Sequence, residues 1–165
     1  MRDVFSIKRV AFAVGASTML ATAMIGSTFA ATDNGTTSAT VDAMISVTAP
    51  ASIDFGNGVP GDVLSVLDTT VNVISNNPAG YTLAVQTSNF AGAPSGAIPA
   101  TALKFRNGVT AYASIVALNT DLLLATTAAP TIAGGTDHLI DAQLTLPFVS
   151  AGVYSGTFIF TASNL

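Results

Sequence analysis

The sequence predicts an all-β protein: a single antiparallel β-sandwich of the immunoglobulin-like or jelly-roll-like kind, following an N-terminal signal peptide. Three observations lead to this prediction. Apolar and polar residues alternate with a period of two in several runs. Val, Ile and Thr are frequent whereas Glu is absent and Lys and Arg are scarce, which favours sheet over helix. Turn residues recur between the runs at intervals typical of a sandwich.

Residues 1–30 have the three parts of a secretory signal peptide. Residues 1–9 form a segment of net positive charge, and residues 10–26 form an uncharged apolar stretch. The small residues Thr28 and Ala30 fit cleavage after position 30. A retained membrane anchor is the alternative. The apolar stretch of 17 residues, however, lies at the lower limit of the length that a membrane span needs. We therefore expect export, with no membrane span after cleavage.

The predicted mature chain has a flexible N-terminal segment, residues 31–40, and a sandwich domain, residues 41–165. It keeps two cations, Lys104 and Arg106, against eight Asp, which gives a formal charge of −6. Such an acidic and charge-poor chain does not bind nucleic acid by counterion release. The absence of Cys excludes disulfides, thiolate metal sites and Cys nucleophiles.

Four runs carry the strand-like alternation, and in each of them apolar side chains share one face. These runs are residues 41–48, 68–74, 81–87 and 142–146. Turn-forming Gly, Asn and Pro residues separate the runs, among them the Asn107-Gly108 dipeptide, a strong short-turn signal. Residues 88–100 are rich in Ala, Gly, Pro and Ser, and predict a long loop.

Residues 153–162 predict a last strand on which Tyr154, Phe158 and Phe160 share an apolar face. We expect this strand to be central in its sheet, because both of its faces carry apolar residues. The same pattern would suit a strand that inserts into a neighbouring molecule, so that alternative stays open.

The one His, His138, is the only base that a Ser-His-Asp arrangement could use. It follows Gly134-Gly135, and the mature chain has no Gly-x-Ser-x-Gly nucleophile elbow. We therefore predict a histidine on a surface loop and no catalytic residue.

The remaining ionisable residues give weaker signals. Asp54, Asp62 and Asp68 surround one turn and offer oxygen ligands for calcium, but no Asp-x-Asp-x-Asp-Gly loop is present, so solvated turn residues are expected. Lys104 and Arg106 share one face of a predicted strand, where a small anion site is possible and a solvated face is expected. The sequence predicts no metal and no cofactor.

Three segments stand in one order along residues 41–164: Ile53-Asp54-Phe55-Gly56 before Pro60-Gly61, then Ala79-Gly80-Tyr81-Thr82-Leu83, and then Ala151-Gly152-Val153-Tyr154-Ser155 before the final Phe158-Ile159-Phe160. In this order and rough spacing the chain resembles the WxL family of cell-surface proteins from Gram-positive bacteria. Both motif Trp residues of that family are replaced. Tyr81 stands for the first with Leu83 retained, and Phe160 stands for the second with Ala162 in place of Leu.

The resemblance implies a secreted, non-catalytic surface protein that is held non-covalently to peptidoglycan or to other surface proteins. It also implies Tyr81, Leu83 and Phe160 as wall-binding motif positions, whereas their alternation favours a place in the core. The main alternative is a pilin-like or fibre-forming subunit that self-associates by strand addition. A secreted hydrolase is a third possibility, but its carboxylate pair would have to be two Asp.

Overall fold

The computed structural model describes residues 36–92 and 96–165. The predicted signal peptide lies outside the described residues, as do residues 31–35. Residues 36–44 are exposed and have no regular secondary structure. Within the two described ranges, no helix is long and apolar enough to cross a membrane.

Residues Thr40–Leu165 form one compact unit built from antiparallel strands. Within the described residues, the 3-10 turn Ala100–Ala102 interrupts the strand order. The strands are β1 (Ile45–Thr48), β2 (Val63–Ser75), β3 (Tyr81–Thr87), β4 (Phe90–Gly92), β5 (Ala97–Ile98), β6 (Leu103–Asn107), β7 (Ala113–Ser114), β8 (Leu122–Thr127), β9 (Thr136–Thr145), β10 (Tyr154–Ser155) and β11 (Phe158–Asn164).

The strands form three sheets. Sheet A has the order β1-β2-β9-β6-β7, sheet B has the order β11-β3-β8, and the small sheet C has the order β10-β4-β5. Every strand pairing is antiparallel. The all-β, sandwich-like fold that the composition and alternation predict is therefore confirmed.

The hydrophobic core draws on both large sheets. Because successive side chains of a strand point to opposite faces, β3 sends Tyr81, Leu83 and Val85 into the core, and all three are fully buried. Sheet A supplies Val71 from β2 and Ile140 from β9, which are equally buried. The period of two in the sequence is thus the period of core burial.

Two predicted elements differ in the structure. The range 88–100, predicted as a long loop, contains the paired strands β4 and β5, in which Phe90 lies opposite Ile98 and Ala91 lies opposite Ala97. The run 41–48 is a strand only from Ile45 onward. Just before it, the backbone N–H of Met44 donates a hydrogen bond to Oδ1 of Asn76, with N and Oδ1 2.6 Å apart.

The predicted last strand is also wrong in its extent and its place. Residues 153–162 divide at Gly156 into β10 of sheet C and β11 of sheet B. Strand β11 pairs with β3 alone, so it lies at an edge of its sheet and not at its centre. The physical reason is that the apolar face of the strand, represented by Phe160, is buried by packing against the opposite sheet. Such burial needs only one paired neighbouring strand, here β3.

Candidate functional site

The three motif positions implied by the resemblance lie in the hydrophobic core. Tyr81 and Leu83 are fully buried on β3, and Phe160 on β11 is 7% exposed. Phe160 lies opposite Val85 in the β3–β11 ladder and makes an edge-to-face contact with Phe158, with ring centroids 5.7 Å apart. These rings offer no open surface on which a sugar could stack.

His138 is a core residue and not the surface-loop histidine that the Gly-Gly pair predicts. It lies on β9, is 7% exposed, and its Nε2 is 2.9 Å from the Tyr81 hydroxyl. The Asn107 side-chain amide lies 3.0 Å from Nδ1. With that amide donating to Nδ1, the ring proton sits on Nε2 and points to Tyr81. Burial lowers the pKa of His138, and nearby Asp137 opposes this shift.

Both ring nitrogens of His138 are engaged, one by Tyr81 and one by Asn107. The sequence contains a signal for this placement. The alternation through Ala142 and Leu144, extended back by two steps, puts His138 on the same inward face.

Arg106 takes part in an ion pair instead of an anion site. Its Nη2 and Nε lie 2.6 and 2.7 Å from Oδ2 of Asp141, a carboxylate that is almost completely buried on the outer side of sheet A. The hydrogen bond to Asp141 raises the pKa of the guanidinium. The ring of Tyr112 packs 4.5 Å from the guanidinium carbon. Lys104, on the same strand face, is half-buried opposite Gln143.

The three Asp residues considered for calcium have separate roles. Asp54 accepts the backbone N–H of Gly56 and Asp62 accepts that of Val59, as turn carboxylates do. Asp68 lies at the irregularity in the β2–β9 ladder with φ at +55°, and its backbone N–H donates to Asp141. No group of three His, Cys, Asp or Glu that could hold a metal ion occurs in residues 36–92 and 96–165.

Charge is distributed unequally over the two large sheets. The charged residues of the described strands all belong to sheet A, and they are Asp68, Lys104, Arg106, Asp137 and Asp141. The three strands of sheet B contain none, and the nearest charge along the chain, Asp121, precedes β8. The outer side of sheet B, which we call the neutral face, comprises Thr82, Ala84, Gln86, Leu123, Thr126, Ile159, Thr161 and Ser163.

A groove of about 550 Å³ lies between two loops, residues 53–60 and 147–154. Its apolar lining includes the half-buried rings of Phe55, Phe90 and Tyr154. A second hollow of about 240 Å³ shares Phe55 and Phe90 with the groove. Neither the charged strand residues of sheet A nor the neutral face contributes to these two spaces.

Comparison with known proteins adds little to this description. No protein-family profile matches the chain, and no curated protein matches it. Among solved structures, the chain is similar to a family 123 glycoside hydrolase from Clostridium perfringens, with 15% identity, a TM-score of 0.39 and 65% of this chain covered. The match spans 19% of that hydrolase chain. A similarity this distant carries no argument about activity.

Proposed function

We propose that the protein is a secreted, non-catalytic surface domain that associates non-covalently with the cell wall through the neutral face of sheet B. The observation that carries this proposal is the segregation of charge between the two large sheets. Aqueous surfaces of small domains normally mix charged residues of both signs. A strand face of Thr, Ala, Gln and Ser without any charge, on which Leu123 and Ile159 are each 58% exposed, is better suited to contact with a neutral polymer than to solvation alone.

The charges of sheet A support the same orientation. Its strands carry Asp68, Asp137 and Asp141 against Lys104 and Arg106, a net charge of 2 − 3 = −1, so an approach through sheet A would bring the unpaired carboxylates against the acidic groups of a wall. Like charges in close contact are unfavourable. The neutral face avoids this repulsion, and contacts made through it should depend little on salt because screening acts on charges.

Co-sedimentation of the purified protein with peptidoglycan sacculi, at low and at high salt, tests this function. We expect the protein to pellet with the sacculi in both conditions. Retention in the supernatant in both would contradict wall association and leave other surface proteins as the partner. Pelleting at low salt alone would contradict the neutral face, because binding that salt abolishes depends on attraction between charges.

A second candidate function is a fibre subunit that assembles by strand addition, and the position of β11 favours it. Exposed sheet edges are normally protected by charged residues or Pro. The two edge strands of sheet B, Leu122–Thr127 and Phe158–Asn164, contain neither. Size-exclusion chromatography over a range of concentrations separates the two functions, since a fibre subunit should form larger species as concentration rises. A sharp monomer at high concentration would rule out the fibre for the isolated protein.

A further inference from the structure

The two loops that form the groove are each fixed by a hydrogen bond of their own. In one loop, the backbone N–H of Gly56 donates to Oδ1 of Asp54 at 2.8 Å. In the other, the hydroxyl of Tyr154 donates to the carbonyl of Ser150 at 2.7 Å. The groove is therefore preformed, and a preformed site loses less conformational entropy when it binds a ligand.

Three half-buried aromatic rings line the groove. Phe55 and Phe90 meet edge to face, with ring centroids 6.4 Å apart. The ring of Tyr154 packs directly on the backbone of β4, where any side chain in place of Gly92 would overlap it. These contacts fix the rings and leave part of their surface exposed to the groove. The π faces of aromatic rings carry partial negative charge and attract cations.

The formal charge of the groove is negative. Among the described residues that line it, Asp54 is the one charged side chain, and there is no Lys, Arg or His. Oδ1 of Asp54 accepts the N–H of Gly56, whereas Oδ2 has no hydrogen bond or ion pair to the described residues. An anionic ligand would be repelled by this carboxylate. A neutral ligand would remove water from it without compensating its charge, so the groove favours a cation.

The rest of the lining selects for an apolar body. Its aliphatic side chains are Ile53, Val59, Leu64, Ile98, Leu144, Leu146, Val149 and Val153. Val59 and Val153 belong to opposite loops and are 63% and 87% exposed, so apolar surface extends to the mouth of the groove. Burial of such surface by hydrocarbon is favourable. A small inorganic cation would not gain this contribution.

We infer that the groove binds a small organic cation, an ammonium group carried on a hydrocarbon body. The ammonium group pairs with the Asp54 carboxylate and lies against the aromatic rings, and the hydrocarbon packs on the aliphatic lining. The volume of about 550 Å³ lies within the range of small-molecule sites. This inference is independent of the proposed wall association, because the groove and the neutral face share no residue.

Three compounds with a six-carbon chain test the preferred charge: hexylammonium, 1-hexanol and hexanoate. Each is titrated at pH 7 into the purified isotope-labelled protein, and amide chemical shifts report both the affinity and the location of binding. We expect hexylammonium to bind at least about tenfold more tightly than 1-hexanol, the effect of roughly one charge-assisted contact. Hexanoate should bind more weakly than 1-hexanol. The shifts should centre on residues 53–60 and 147–154.

A matched pair of variants tests the role of the carboxylate. Asp54→Asn keeps an oxygen for the Gly56 N–H and removes the charge, so it should weaken hexylammonium about tenfold and leave 1-hexanol unchanged. Asp121→Asn is the control, since it removes the same charge from an exposed residue that precedes β8 and does not line the groove. This variant should keep the native preference for hexylammonium.

Several results would overturn the inference. Equal binding of the three compounds, or no binding of hexylammonium at millimolar concentrations, would show that the groove does not select a cation. Shifts centred outside the two loops, or equal weakening by Asp54→Asn and Asp121→Asn, would show general attraction to an acidic domain. All of these outcomes leave the proposed wall association standing, because sedimentation with sacculi tests it separately.

Discussion

Replacement of Tyr81 by Ala tests whether this motif position is a core residue or a ligand platform. The side chain is fully buried, so truncation leaves a cavity, and changes of this kind from aromatic residues to Ala cost about 3–5 kcal/mol. The same change removes the hydroxyl that lies 2.9 Å from His138 Nε2. An imidazole N–H left buried without a partner costs a further ~1–3 kcal/mol. We therefore expect Tyr81→Ala to lower the free energy of unfolding by at least about 3 kcal/mol.

The assay is urea denaturation followed by far-ultraviolet circular dichroism, because the chain has no Trp to report by fluorescence. With a slope of about 1–3 kcal/mol per molar urea, the destabilisation lowers the midpoint by roughly 1–3 M. Tyr81→Phe separates the two contributions, since it keeps the ring and removes only the hydroxyl. A decrease below about 1 kcal/mol for Tyr81→Ala, well short of the usual cost of such a truncation, together with weaker sedimentation with sacculi, would refute the core assignment and make the ring a ligand platform.

Three further interactions give tests of stability. Burial lowers the pKa of His138, so the unfolded chain binds a proton more tightly than the folded one. The melting temperature should therefore fall as the pH drops below about 6.5, and it should stay constant over this range in His138→Gln. Equal slopes of melting temperature against pH in the two proteins would contradict this. Gly80 and Gly61 both have positive φ, +93° and +98°, but a methyl group at Gly80 would clash with the Thr127 carbonyl of β8, whereas one at Gly61 would meet open space. Gly80→Ala should therefore lower the melting temperature far more than Gly61→Ala. Arg106→Ala leaves a buried carboxylate unpaired and should lower the urea midpoint more than Lys104→Ala, and equal midpoints would show that the ion pair is not stabilising.

Alternation in the sequence predicts the core side chains of β2 and β3. In β3 every second residue from Tyr81 to Thr87 is buried, and in β2 Val71 and Val73 are fully buried. These predictions succeed because the period of two is a local property of the extended backbone. The same rule, extended backwards along β9, places His138 inside, whereas the preceding Gly-Gly pair favours a longer loop and leads to the wrong prediction.

Strand order and side-chain partners cannot be predicted in this way. The apolar face of β11 is the same whether the strand is central or at an edge, because Phe160 packs on the opposite sheet in both cases. The pairing of Arg106 with Asp141 joins residues of two strands that are adjacent only through the β6–β9 register. The groove at Asp54 lies where residues 53–60 and 147–154 converge in space, and no sequence spacing reports such convergence.

Binding of the wall by the neutral face of sheet B is tested most directly by one matched pair of variants. Thr161→Lys places a charge on β11 at the neutral face, and Thr70→Lys places the same charge at an exposed position of β2 in sheet A. The measurement is the fraction of each folded variant that pellets with peptidoglycan sacculi at high salt. We expect Thr161→Lys to remain in the supernatant while Thr70→Lys pellets like the native protein. Equal pelleting of the two variants would show that the neutral face does not bind the wall.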